Sequence, residues 1–206
     1  MTDEQESSTL LRAPARTPGY ATYATIVADP PWKIDLNRKT PHPAKGSAFG
    51  SHIPQLIYPT MSDADIEALR PPSADAAHLY LWTVNAKIEA AYKTARAWGF
   101  KPSSLLVWAK NPMGIGLGGT YCNTTEFCLF ARRGTLPAKQ RIPTTWWNWK
   151  RGKHSVKPDA FQEIIESVSP GPYLEMFARR KRDGWDSWGN EVEGDILMGH
   201  NVELRG

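Results

Sequence analysis

Short β-prone runs alternate along this chain with helical segments of about ten residues, and that alternation restricts the fold more than any other feature. Tyr23-Ala24-Thr25-Ile26-Val27-Ala28 reads as a first strand, halted by Asp29-Pro30-Pro31. Ser62-Asp63-Ala64-Asp65 has capping-box form and opens a helix through Leu69. A strand is expected from His78 to Val84, then a helix from Ala86 to Trp98, capped by Asn85 and stopped by Gly99. Ser104 to Ala109 and Glu126 to Ala131 read as further strands. Pro158 opens a helix running to about Val168, closed by Ser169-Pro170-Gly171, and Tyr173 to Phe177 is the last strand. Strands separated by helices imply an α/β fold in which helices flank a mainly parallel sheet, in a single domain. Residues 1–20 hold Pro14, Pro18 and Gly19 without apolar periodicity, so a disordered tail is expected there and the domain over 21–206. Residues 33–60, rich in Pro, Gly, Lys and His, read as a long loop.

Composition narrows the function classes. A chain of 206 residues buries roughly 70% of its unfolded surface on folding, so it needs no disulfide or metal staple. No apolar run approaches the ~20 residues of a membrane-spanning helix, so no membrane partner is expected. The start, MTDEQESSTL, is acidic and polar, and no secretory signal is expected in it. Cys122 and Cys128, separated by five residues with no neighbouring His, read as small buried hydrophobes of a cytoplasmic protein. The net charge of +4 is unevenly spread. Arg132, Arg133, Lys139, Arg141, Lys150, Arg151 and Lys153 fall in a stretch without acid that also holds Trp146, Trp147 and Trp149. Basic residues interleaved with aromatics suit a phosphate backbone and unstacked bases. A solvated loop whose tryptophans fold back onto the core is the plainer alternative, there and for the second run, Arg179-Arg180-Lys181-Arg182.

The strongest local signal is Asp29-Pro30-Pro31-Trp32, placed where open α/β sheets bind ligands, just beyond a strand's carboxyl end. Asp29 offers a carboxylate acceptor. Pro30 offers a rigid carbonyl as a second acceptor, and Trp32 a flat face for stacking a base. Two acceptors and a stacking plane suit the exocyclic amine of a flipped base. A plain turn and a general base acting on a hydroxyl are the competing uses; no Gly-x-Ser-x-Gly elbow supports the latter.

The same tetrapeptide, with the strand before it, resembles the catalytic motif of the N6-adenine methyltransferase family named after the seventy-kilodalton catalytic subunit of the mRNA enzyme. The resemblance continues in order through Tyr58-Pro59-Thr60-Met61-Ser62, Leu81-Trp82-Thr83, Gly99-Phe100, Val107-Trp108-Ala109-Lys110, Glu126-Phe127-Cys128-Leu129 and Arg133-Gly134. It ends with His154-Ser155-Val156-Lys157-Pro158-Asp159, Ser169-Pro170-Gly171, Glu175-Met176-Phe177-Ala178-Arg179 and Trp188-Gly189-Asn190-Glu191. It spans residues 23 to about 196 and is nearest the small bacterial and phage members.

This resemblance implies a Rossmann-like S-adenosylmethionine-dependent methyltransferase fold and a nucleic-acid substrate, DNA favoured over RNA. Asp29, Pro30, Pro31 and Trp32 are then the catalytic set that holds the adenine and faces the donor. Lys157 meets the donor's carboxylate end, Phe177 and Arg179 line its pocket, and Asn190 and Glu191 bind its ribose and adenosine portion. Tyr58 sits in a loop closing over the base. Lys139, Arg141, Lys150, Arg151, Lys153 and His154 are the further substrate-binding candidates. No metal is required; a homodimer or a partner subunit is left open. The acidic residue that meets the donor's adenine in the family has no counterpart in residues 7–28, which hold no Asp or Glu. Gly114-Ile115-Gly116-Leu117-Gly118-Gly119 lacks the helix and acid of a dinucleotide fingerprint and reads as a flexible loop near the substrate. The alternative functions are a non-catalytic nucleic-acid-binding partner of the same fold and a methyltransferase for another amine, such as cytosine N4 or protein glutamine.

Overall fold

The computed structural model describes residues 22–34, 59–111, 121, 123–150 and 157–196. Within them the strands are β1 (Tyr23–Ala28), β2 (Ser73–Thr83), β3 (Lys101–Asn111), β4 (Thr125–Arg133), β5 (Trp146–Lys150), β6 (Tyr173–Met176) and β7 (Trp185–Trp188). The helices are α1 (Asp63–Ala68), α2 (Ile88–Ala97) and α3 (Asp159–Val168). All seven strands form one sheet in the order β5-β3-β4-β2-β1-β6-β7. Only β4 runs against its neighbours; the other four pairings are parallel. The mainly parallel, helix-flanked single domain expected from the sequence is therefore the fold.

Strand alternation divides the core into two layers. Ile26, Ala28, Leu79, Leu81, Leu129 and Ala131 point to one face, where Ile66 of α1 and Ala91 and Ala95 of α2 cover them. Val27, Tyr80, Trp82, Cys128 and Phe130 point to the other, under Phe161 and Ile165 of α3. Strands buried on both faces read as continuous apolar runs, which is why β1 and the second half of β2 stand out in the sequence. Ser62 caps α1, its Oγ accepting from the Asp65 amide at 3.2 Å, with acids in the first turn. Gly99 closes the end of α2 at φ 83°, a conformation that costs glycine little. No helix among the described residues is long and apolar enough to cross a membrane.

Three local expectations need correction. β2 begins at Ser73, five residues earlier than expected. Asn85 opens a single 3₁₀ turn, and α2 follows it at Ile88 with no side-chain cap bond. The stretch read as a basic loop contains a strand, β5, because Trp147 and Trp149 alternate inward to the α3 face while their neighbours face water. The short polar strand β7 was also not anticipated.

Candidate active site at the carboxyl edge of the sheet

Parallel strands β1, β6 and β7 end on one edge, and the turns leaving them carry most of the expected chemistry. Asp29 directly follows β1, Phe177 directly follows β6, and Asn190 and Glu191 lie just after β7. Lys157 precedes α3 and reaches the same place: its Nζ donates to Asp29 Oδ2 at 2.6 Å. The chain folds back tightly here. Phe177 takes φ 61°, unusual for a non-glycine residue, and its ring meets Trp188 edge-on at 5.3 Å. The Ala178 amide donates to the Trp188 carbonyl at 3.0 Å. A Cβ on Gly189 would come within 2.5 Å of the Ala178 oxygen, so only glycine lets the turn after β7 press against the turn after β6. Arg179 then reaches across to Glu191, with Nε at 3.5 Å from Oε1.

Asp29 belongs to a chain of alternating charges. Lys157 also lies 3.3 Å from Glu126 Oε2, and Lys110 pairs with the other oxygen of Glu126. Two carboxylates and two ammonium groups thus balance. Burial opposes the charge on Lys157, but Asp29 and Glu126 outweigh it and lift its pKa to about 12. Burial likewise opposes Glu126 ionisation, and Lys157 with Lys110 more than offset it, holding that carboxyl below its ordinary value. The Lys157 ammonium also sits 5.1 Å over the Trp82 ring. Glu175 of β6, opposite Val27 of β1, has the contrary balance. Burial and the nearby Asp29 charge push its carboxyl up to about 6, against the pull of Arg180 and Arg182. Glu126, Lys110 and Glu175 were given no role from the sequence. They lie on strands, and only the register shows that they converge on Asp29.

The tetrapeptide is built as a rigid corner. The Trp32 amide donates to the Pro30 carbonyl at 2.8 Å, and the Met61 amide to the Pro31 carbonyl at 2.8 Å. Trp32 departs from expectation. It is 5% exposed, joins the core beneath α1, and donates its indole N–H to the Trp82 carbonyl at 3.0 Å. So large an apolar ring is drawn inward, and it anchors the corner rather than offering an open face for a base. The Pro30 carbonyl accepts one bond, from the Trp32 amide, and its second lone pair leaves room for one more donor.

Other candidates fall elsewhere. Lys139 lies at the opposite edge, where its amide donates to Val168 at the end of α3 and its Nζ to Glu166 O and Tyr173 Oη. Arg132 and Arg133 end β4 at that same far edge, because β4 is reversed. Arg141 is exposed on the segment climbing toward β5, and Lys150 ends β5 at the site's edge. The Arg179–Arg182 run is internally neutralised: Arg179 pairs with Glu191, Arg180 with Asp159, Lys181 with Asp195 and Arg182 with Glu166. Tyr58, Arg151, Lys153, His154, Cys122 and the 114–119 glycine segment lie outside the described residues. Cys128 is a buried free thiol.

The edge thus gathers a partly buried cation, Lys157, an aromatic ring, Phe177, and the polar side chains of Arg179, Asn190 and Glu191 on neighbouring turns.

Comparison with known proteins is in accord with this edge. The family model described as MT-A70 matches residues 23–191. A Mycoplasma protein named type II methyltransferase M.MunI is 30% identical over 184 residues, covering 82% of this chain and 78% of the relative. A Medicago truncatula protein named putative N(6)-adenosine-methyltransferase MT-A70-like is 27% identical, covering 89% of this chain and 28% of the relative. The human N(6)-adenosine-methyltransferase catalytic subunit METTL3 is 25% identical, over 89% of this chain and 30% of its own length. The chain therefore spans most of the bacterial relative but under a third of these plant and animal ones.

Proposed function

Because the chain belongs to the MT-A70 family, we propose that it transfers the methyl group of S-adenosylmethionine to the N6 amine of adenine in nucleic acid. The observation that carries this reading is the Asp29 carboxylate at the end of β1, held at 2.6 Å by Lys157 on the edge shared with Phe177, Asn190 and Glu191.

The N6 lone pair of adenine is delocalised into the ring, which makes the amine a poor nucleophile. Asp29 and the Pro30 carbonyl each accept one N–H of that amine and favour a pyramidal nitrogen whose lone pair points away from the ring. Lys157 occupies one Asp29 oxygen, and a carboxylate has capacity for further donors. S-adenosylmethionine, when bound, would supply an electrophilic sulfonium methyl: the N–C bond forms as the S–C bond breaks, S-adenosylhomocysteine leaves, and N6 gives up one proton to solvent. Lys157, Phe177, Arg179, Asn190 and Glu191 bind and orient that donor, so the protein's share is position and electrostatics. Trp32 and Met61 keep the corner rigid.

DNA is favoured over RNA, because the chain aligns with most of the bacterial relative named a type II methyltransferase and with only a fraction of those named adenosine methyltransferases. The setting is cytoplasmic, in keeping with the buried free thiol of Cys128. The human relative is named a catalytic subunit, and light scattering with and without nucleic acid tests for a homodimer or second subunit here.

The deciding experiment is methyl transfer to mixed DNA and RNA, read by nucleoside mass spectrometry, with Asp29→Asn beside the wild type. N6-methylated deoxyadenosine that falls at least a hundredfold in the variant is expected. Methylated cytosine or glutamine would move the reaction to another amine. Failure to bind the donor at all would leave a non-catalytic nucleic-acid-binding role.

A further inference from the structure

β5 is an edge strand, paired only with β3 among the described residues. Trp147 and Trp149 stack on one another at 5.3 Å and both meet Phe161 of α3. Trp146, Asn148 and Lys150 therefore share the opposite face, and all three are exposed, Trp146 to 60%. Alternate residues on a strand stand roughly 7 Å apart, so an indole, an amide and an ammonium line up over roughly 13 Å.

The segment leading into β5 carries charge of one sign: residues 134–150 hold Lys139, which is turned to the far edge, then Arg141 and Lys150, and no acid. Arg141 and Lys150 have no carboxylate partner among the described residues, whereas all four cations of Arg179–Arg182 are paired. A second copy of this chain is a poorer occupant. In a twofold contact the same patch meets itself, so these unpaired cations would face like charge.

Resting on the adenine-methylation reading, we propose that the outward face of β5 is a platform for the single-stranded stretch of nucleic acid beside the target base. Trp146 stacks on a base, and Lys150 and Arg141 meet phosphates. Lys150 lies on the same side of the sheet's end as Asp29, four strand steps across and, by register, about five residues further along, roughly 25 Å at the usual spacings. That distance is a reach of a few nucleotides.

The test is binding of fluorescein-labelled, mixed-sequence DNA and RNA oligonucleotides across a salt series. Trp146→Ala should weaken binding by roughly 5- to 100-fold, and Trp146→Phe should recover most of it. Lys150→Ala and Arg141→Ala should each lower the slope of log affinity against log salt by about 0.7 to 0.9. Unchanged melting curves confirm that these exposed substitutions leave the fold intact. Variants that bind like wild type with the same slope overturn the platform, whether or not the wild type methylates adenine. A Trp146→Ala change that splits a dimer without altering oligonucleotide affinity overturns it too and gives the face to a second copy. Binding through Trp146 without N6-methyladenine supports the platform and sinks the function it rests on.

Discussion

Lys157 is held between two carboxylates, and the value of that arrangement lies in what its removal would leave behind. Lys157→Met strands Asp29 beside Glu126, which keeps only Lys110. These groups are partly exposed, so the expected loss is about 2 kcal/mol rather than the 3–5 of a fully buried pair. The pH dependence follows from Glu126, whose depressed pKa contributes stability above its ordinary value of 4.5. That contribution is lost as pH falls below 4.5 through the lower folded value, so urea midpoints of wild type and variant should converge in acid and separate at pH 7. Glu175 has the opposite sign. Its raised value of about 6 means the folded state is fully favoured below pH 4.5 and loses stability as pH rises through 6. Glu175→Gln keeps a partner for Gln162 and should stabilise the protein by about 1–2 kcal/mol at pH 8. At pH 4 the two proteins should melt alike, and a variant no more stable at pH 8 would remove the burial penalty assigned to this carboxyl.

At the scale of elements, α3 is fastened to the sheet largely through one ring. Phe161 is 2% exposed and packs against Tyr80 and Trp82 of β2 and Trp147 and Trp149 of β5. Phe161→Ala should cost about 3–5 kcal/mol in denaturant unfolding, and Phe161→Leu clearly less. The variant should also weaken donor binding, because Lys157 lies immediately before the Pro158 cap of α3. The apolar runs of β1 and β2, the capped start of α1 and the Pro158 start of α3 were legible because each rests on local chemistry. β5 was not, although Trp146-Trp147-Asn148-Trp149-Lys150 sits inward and outward in turn, because its aromatic residues occupy both faces and hide the period. β7, Trp185-Asp186-Ser187-Trp188, is too short and polar to show a period, and pairing with β6 forms it. Asp29 and Lys157 could be named from motifs. Their 2.6 Å contact could not, since 128 residues separate them and only strand order closes the gap. Trp32 was misassigned for the same reason, because its burial depends on β2 and on the Met61 strand bridge.

Across the whole molecule the two sheet edges divide the work. The carboxyl ends of β1, β6 and β7 hold the Asp29–Lys157–Glu126–Lys110 charge network and the turns proposed to meet the donor, while the far edge is tied together by structural bonds. There His78 Nδ1 and Tyr80 Oη both lie 2.8 Å from Ser169 Oγ, and burial lowers the His78 pKa, so it stays neutral as a structural link. Lys139 braces that same edge against α3 and Tyr173. Ligand binding should therefore be felt through one edge only. A donor present at a hundred times its dissociation constant stabilises the native state by about 2.7 kcal/mol. For a chain of this length that corresponds to a rise in Tm of roughly 5–10 °C. Differential scanning fluorimetry with S-adenosylmethionine should show that rise in the wild type and in Lys139→Ala, and no rise in Lys157→Met. If Lys139→Ala abolished the shift while its own melt without donor matched wild type, the two edges would be coupled and the division of labour wrong. If Lys157→Met kept the full shift, the donor's carboxylate end would be held by another cation, and Lys157 would serve only to fix Asp29.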